Sequence, residues 1–208
     1  MRICVFGGSE AVGEHVIKQL AAKGHEPVTM AETENKAEEL KMLGAAEVII
    51  SKNDESFNSA IDGSEAIIYI AGSSFGSGED QNILVDYEAV RKSLERAQQQ
   101  KIERVIYLSP VRVDESQESK ETGEKNKSEE WIKKNQTDYT IIHTVKTVSK
   151  PGYGMIKAAE TINADNDEIP YEDVAGVLVE ALDNQNTHKK TFEITKGDTS
   201  IKEALDSL

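Results

Sequence analysis

Short apolar runs alternate with longer segments of helical period along this chain. The runs are rich in β-branched and aromatic residues, which predicts about seven strands: Ile3–Phe6, Pro27–Met30, Glu47–Ile50, Ala66–Ile70, Arg104–Leu108, Tyr139–His143 and Thr191–Ile194. Between them, apolar residues recur at spacings of three and four, which predicts helices. The alternation is typical of an α/β fold in which helices cover both faces of a doubly wound parallel sheet.

The clearest predicted helix runs from about Gln81 to Gln100, where apolar residues return on one face. Gly24 and Gly44 follow two other predicted helices, at positions where a left-handed cap is expected. Asp114 to Glu130 has no apolar residue. This segment is therefore predicted to be a mobile loop that runs into a short exposed helix from about Glu124 to Asn135.

Length, charge and cysteine content narrow the class of protein. The 208 residues predict a single domain, 1–208. A net charge of −14 argues against nucleic acid or an anionic membrane as the main partner. No apolar stretch approaches the roughly 20 residues of a membrane span. Cys4 is the one cysteine and lies in an apolar run, so we expect an inert core thiol and a cytoplasmic protein.

A glycine-rich segment between the first strand and the first helix carries the main candidate chemistry. It reads Gly7-Gly8-Ser9-Glu10-Ala11-Val12-Gly13. Glycines there let the backbone turn sharply and approach a pyrophosphate, whose charge the helix N-terminus favours. The predicted cofactor-binding residues in it are Gly7, Gly8, Ser9, Ala11, Val12 and Gly13.

Glu10 stands where such loops have their middle glycine. A solvated carboxylate about 4 Å from a phosphate costs about 1 kcal/mol, and a buried one costs several. The Glu10 carboxylate could instead accept hydrogen bonds from the loop amides and occupy the phosphate site itself. A third alternative is an acid at the helix N-terminus that the helix dipole favours.

A second acid, Glu32, follows the second strand, 19 residues beyond Gly13. An acid at this place hydrogen-bonds the ribose hydroxyls and repels a 2′-phosphate, which favours NAD over NADP. The alternative is a solvated acid in a run with Glu34, Glu38 and Glu39.

The whole chain resembles the atypical short-chain dehydrogenase/reductases, in particular small NmrA-like NAD(P)-binding proteins. Besides the glycine loop, the resemblance rests on AIIYIAGSS from Ala66, ILVDYEAV from Ile83, RVIYLSP from Arg104, DYTIIH from Asp138 and IPYEDVAGVLVEAL from Ile169. It implies a Rossmann-like fold, NAD or NADP as cofactor, no metal, and a small C-terminal substrate-side lobe from about residue 145. It also implies that Ala71, Gly72 and Ser73 form a loop beneath the cofactor, although an ordinary turn-rich connection would read the same.

Active members of this group use a serine, a tyrosine and a lysine four residues after the tyrosine. By resemblance, Ser109 and Lys125 take the places of the serine and the lysine, but Glu121 stands where the tyrosine belongs. No tyrosine lies between Tyr107 and Tyr139. After the sixth strand the relatives read RPG and this chain reads His143-Thr144-Val145. A histidine there could act as a general acid, but a lone histidine at a strand end is more often structural.

Two functions from different classes follow. The first is a dinucleotide-binding oxidoreductase acting weakly on an unknown small molecule, with an epimerase as a further alternative. The second is a catalytically silent regulatory or interaction protein that keeps the fold. A homodimer through the exposed face of the 81–100 helix is also open.

Overall fold

Among the residues that the structure describes, nine strands form one sheet, in which β1 lies third from one edge. The strands of the computed structural model are β1 (Arg2–Phe6), β2 (Glu26–Ala31), β3 (Glu47–Ile50), β4 (Ala66–Ile70), β5 (Arg104–Pro110), β6 (Asp138–Thr144), β7 (Lys146–Val148), β8 (Met155–Ala159), β9 (Glu168–Pro170), β10 (Lys190–Lys196) and β11 (Thr199–Ser200). The order in the sheet is β11-β8-β10-β6-β5-β4-β1-β2-β3, and β7 pairs with β9 separately. The pairings from β3 through to β10 are parallel, whereas β8 is antiparallel to β10 and β11.

Helices cover both faces of this sheet. They are α1 (Ala11–Ala22), α2 (Glu34–Met42), α3 (Asp54–Ile61), α4 (Tyr87–Gln99), α5 (Lys120–Asn135), α6 (Tyr171–Ala181) and α7 (Ile201–Asp206), with a short 3₁₀ helix at Gln185–Thr187. The structure describes residues 1–9, 11–51, 54–70, 87–110, 120–136, 138–163 and 167–208. Within these ranges, none of the helices is long and apolar enough to cross a membrane.

The core has two parts, one on each face of the sheet. On one face, α1 and α6 bury Val16, Leu20, Val174 and Leu178 against the sheet, together with residues of α2 and α7. On the other face, α3, α4 and α5 bury a second set that includes Ile61, Val90, Leu94 and Ile132. Side chains alternate along a strand, so each central strand supplies both parts of the core. The α/β class and the doubly wound parallel sheet are thereby confirmed.

Several local predictions are confirmed. Cys4 is fully buried, and burial raises the pKa of its thiol far above the ordinary value, as expected of an inert core residue. Gly24 and Gly44 both have positive φ, +80° and +111°, in the turns that follow α1 and α2.

Other local predictions are wrong. Residues 120–123, expected in the mobile loop, lie in α5, which begins at Lys120 rather than at about Glu124. Their many Glu and Lys residues are good helix formers, so a helix needs no apolar residue at every turn. The sheet also has nine strands rather than about seven, because β8 and β11 extend it. Residues 81–86 of the predicted 81–100 helix lie outside the described residues.

Candidate functional site

The carboxyl ends of the parallel strands lie along one edge of the sheet. β1 pairs with β4 on one side and with β2 on the other, so the chain winds in opposite directions from β1. Ligands of open α/β sheets bind in the crevice outside the carboxyl ends at such a reversal of strand order. The described residues at the carboxyl ends of β1, β2, β5 and β6 therefore form the candidate site.

The turn after β1 depends on two glycines. Gly7 has a φ of +82°, a conformation that side chains other than hydrogen disfavour. A Cβ on Gly13 would lie 2.0 Å from the carbonyl oxygen of Gly7, because the first turn of α1 packs directly on the turn. These are the requirements of the first and third glycines of a dinucleotide-binding turn, a tight turn and close packing of the helix.

The other predicted residues of the turn differ in what they can offer a ligand. A Cβ on Gly8 would lie 2.2 Å from Oγ1 of Thr29, the hydroxyl that donates a hydrogen bond to the Val5 carbonyl at 2.8 Å. Val12 is buried in the core, whereas Ser9 is half-buried and Ala11 is exposed. Val12 can therefore serve a ligand only through its backbone amide, one of the α1 amides that have no partner within the helix. Glu10 lies outside the described residues.

Acidic side chains dominate the end of β2. Glu32 is exposed, and Thr33 caps α2 by accepting a hydrogen bond from the Lys36 amide at 3.3 Å. The Lys36 ammonium lies 2.5 Å from Glu14 Oε1 and 3.3 Å from Glu39 Oε2. The hydrogen bond to Glu14 is the main cause that raises the pKa of Lys36. This lysine is therefore engaged by two carboxylates.

The ends of β5 and β6 bring together two residues singled out in the sequence. Ser109 is buried on β5, and its Cα is the register partner of the His143 Cα on β6. His143 Nε2 lies 2.8 Å from Oε1 of Glu129, a residue of α5 whose side chain is only 13% exposed. Sequence reasoning missed Glu129. The available signal was its position four residues after Lys125, one helical turn further along α5.

Lys125 and Glu121 both lie in α5, the helix that packs on the sheet beside β6. Ala71, Gly72 and Ser73 lie outside the described residues. Tyr107 lies two residues before Ser109, further from the carboxyl edge of the sheet, and its ring is buried in the core that α3, α4 and α5 cover. Burial, followed by the charge of Glu129, raises the pKa of its phenol, and a hydrogen bond to Ser128 opposes this shift only in part.

A cleft of about 910 Å³ opens among the C-terminal elements, with Tyr153, Met155 and Lys157 among its lining residues. The amides of Tyr153 and Gly154 donate to Oδ1 of Asp173 at 3.0 and 2.8 Å, so the α6 N-terminus holds this segment in place. The Tyr153 side chain is 78% exposed.

The strand order and the glycine turn define a Rossmann-type dinucleotide-binding protein. The chain belongs to the NAD(P)H-binding family, whose model matches residues 7–185. This confirms the resemblance to atypical short-chain dehydrogenase/reductases of the NmrA-like kind.

Three relatives illustrate the family. An uncharacterized sugar epimerase of Bacillus subtilis, YhfK, is 28% identical over the full length of both chains. A solved structure of a candidate NAD-dependent epimerase/dehydratase from Bacillus halodurans is 30% identical and covers both chains completely, with a TM-score of 0.88. A wide-type short-chain dehydrogenase/reductase from Veillonella parvula, solved with NADP, shares the fold at a TM-score of 0.76 and 14% identity, covering 96% of each chain.

Proposed function

We propose that this protein binds a nicotinamide dinucleotide across the carboxyl edge of the sheet and acts as a weak oxidoreductase or epimerase on a small molecule. The observation that carries the proposal is the turn at Gly7 and Gly13, where positive φ and helix packing meet the needs of a pyrophosphate site. The first amides of α1 would hold the diphosphate, since the N-terminal end of a helix favours an anion.

Ser109 and Lys125 are the proposed catalytic residues. Ser109 lies at the carboxyl end of β5, where its hydroxyl would hydrogen-bond a substrate oxygen. Lys125 would bind the nicotinamide ribose, as its counterpart does in the families that the sequence resembles. When bound, the nicotinamide supplies or takes up a hydride. The name of the Bacillus subtilis relative, a sugar epimerase, points to a hydroxylated small molecule as the substrate.

NAD is the proposed cofactor in preference to NADP. A 2′-phosphate at the end of β2 would face the exposed Glu32, and repulsion between these like charges disfavours it. Lys36, which follows in α2, would not compensate because Glu14 and Glu39 already pair with its ammonium.

A catalytically silent regulator is the second candidate. The absence of a tyrosine four residues before Lys125 favours it, because the proton donor of the active relatives has no counterpart there. In this case the dinucleotide would still bind, and its occupancy rather than its chemistry would carry the signal.

Calorimetric titration with NADH and with NADPH tests the proposed site. We expect NADH to bind more tightly than NADPH, and Glu32→Gln to reduce this preference by removing the repelling charge. The matched control is Glu38→Gln, which neutralises another exposed acid of the same acidic run and should leave the preference unchanged. Failure of both dinucleotides to bind at millimolar concentration would overturn the proposal.

The same titration applied to Glu10→Gly measures the effect of the acid in the glycine turn. Removing a carboxylate near the diphosphate should tighten NADH binding by about fivefold if the charge is solvated, since this corresponds to about 1 kcal/mol. An unchanged affinity would show that Glu10 does not face the cofactor.

A further inference from the structure

The contact between His143 and Glu129 is a second chemical feature of the candidate site, and the family resemblance does not supply it. The two groups come from different elements, β6 and α5, and their Nε2 and Oε1 atoms are 2.8 Å apart. Both side chains are mostly shielded from solvent, at 24% and 13% exposed. A carboxylate that binds one ring nitrogen of a histidine fixes the orientation of the ring and leaves the other nitrogen available for chemistry.

The position of His143 agrees with such a role. It is the penultimate residue of β6, at the carboxyl edge where the nicotinamide end of the cofactor is proposed to lie. Its Cα is the register partner of the Ser109 Cα, so the two backbones are about 4.8 Å apart in neighbouring strands. Register partners in a parallel pair direct their side chains to the same face of the sheet. The two side chains are therefore neighbours on the α5 face.

Two other charged groups lie near this pair. Lys133 Nζ lies 3.8 Å from Oε2 of Glu129, on the oxygen that His143 does not contact. On β10, Glu193 is the register partner of His143, and its Oε2 accepts the Ile162 amide at 2.6 Å. Glu129 is therefore the carboxylate placed to hold the imidazole.

We propose that His143, oriented by Glu129, is the acid–base group of this site in place of the missing tyrosine. This inference rests on the proposed dinucleotide site. In the reduction of a carbonyl, the cofactor held by the first α1 amides and Lys125 would supply a hydride, which is one proton with two electrons, to the carbon. The carbonyl π bond breaks, and its oxygen takes a proton from Nδ1 of the imidazolium. The neutral imidazole then regains a proton from water, and Ser109 hydrogen-bonds the same oxygen throughout.

Nitrogen-15 NMR of the histidine rings tests the geometry without a known substrate. In the wild-type protein we expect Nε2 of His143 to carry a proton, and Glu129→Gln to abolish this fixed preference because a neutral amide holds the ring less strongly. Saturation with NADH should shift the Nδ1 signal of His143. His188 is the matched control, since its Nδ1 lies 3.1 Å from Asp138 at the opposite edge of the sheet, and its signals should not respond.

Turnover of 9,10-phenanthrenequinone with NADH tests the chemistry. We expect His143→Gln to lower kcat by about 100-fold with unchanged NADH affinity, the usual effect of losing a general acid. His188→Gln should retain wild-type turnover. If the wild type does not reduce this probe, the NMR result decides whether the His143 proposal stands.

The outcomes separate the two proposals. If NADH binds by calorimetry but His143 has no preferred ring tautomer or does not respond, the His143 proposal is overturned and the dinucleotide site stands. If His143→Gln keeps full turnover, the acid–base role is likewise overturned. If NADH does not bind at all, the site itself is overturned, and the role of His143 with it.

Discussion

At the residue scale, Gly13 has the most demanding position in the candidate site. A Cβ there would lie 2.0 Å from the Gly7 oxygen and 2.6 Å from the Gly8 Cα, and both of these are backbone atoms. Replacing glycine by alanine in a helix ordinarily stabilises it by up to about 1 kcal/mol. At position 13 the clash turns this stabilising effect into a destabilising one. We expect Gly13→Ala to lower the free energy of unfolding by about 1–3 kcal/mol, measured by urea denaturation, and to abolish NADH binding.

Gly24→Ala serves as the control for this substitution. Gly24 has a φ of +80° but no atom within 4 Å of a built Cβ, so alanine there adds backbone strain without a clash. We expect a loss of about 1–2 kcal/mol in stability with NADH affinity unchanged. Unaltered NADH binding in Gly13→Ala would show that close packing of α1 on the turn is not needed for the site.

At the element scale, a buried arginine ties the sheet to the end of α6. The Arg104 guanidinium donates to the carbonyls of Ala181 and Leu182, to Thr187 Oγ1 at 3.0 Å and to Asp138 Oδ1 at 3.0 Å. Burial lowers the pKa of Arg104, and the neighbouring Asp138 partly offsets this shift. The last carbonyls of a helix have no partner within it. Arg104 therefore supplies donors to two of them, and Thr187 Oγ1 also donates to the Ala181 carbonyl at 3.1 Å.

We expect Arg104→Met to lower the free energy of unfolding by about 3–5 kcal/mol, because it leaves buried carbonyls and the Asp138 carboxylate without this partner. The control is Arg96→Met, which removes an ion pair with Asp62 from a side chain that is 37% exposed. Such a pair is worth at most about 1 kcal/mol. Urea denaturation of both variants measures the difference, and equal losses would contradict the assigned role of Arg104.

Some elements of the fold could be predicted from the sequence alone, and others could not. The strands from β1 to β6 were predictable because each is an apolar run bounded by polar segments, and the sheet class followed from their alternation with helices. The early start of α5 was missed because a wholly polar segment gives no periodicity to detect. The pairing of Ser109 with His143 depends on the register between β5 and β6, and the contact with Glu129 depends on how α5 packs. Neither can be obtained from spacing along the chain.

At the scale of the whole molecule, the proposed site draws on both halves of the sheet. The glycine turn and Glu32 follow β1 and β2, whereas Ser109 and His143 belong to β5 and β6 on the other side of β4. A dinucleotide that spans this edge would contact both halves at once. Binding to the folded state alone then stabilises the whole fold by linkage, and not merely one loop.

The last prediction concerns this linkage. NADH at 100 times its dissociation constant should raise the free energy of unfolding by about 2.7 kcal/mol, and each kcal/mol raises the melting temperature of a domain of this size by about 2–4 °C. AMP reaches only the β1–β2 half, so it should stabilise less than NADH at equal concentration. Thermal unfolding followed by circular dichroism measures both. Equal shifts with AMP and NADH would mean that the β5–β6 half contributes nothing to cofactor binding.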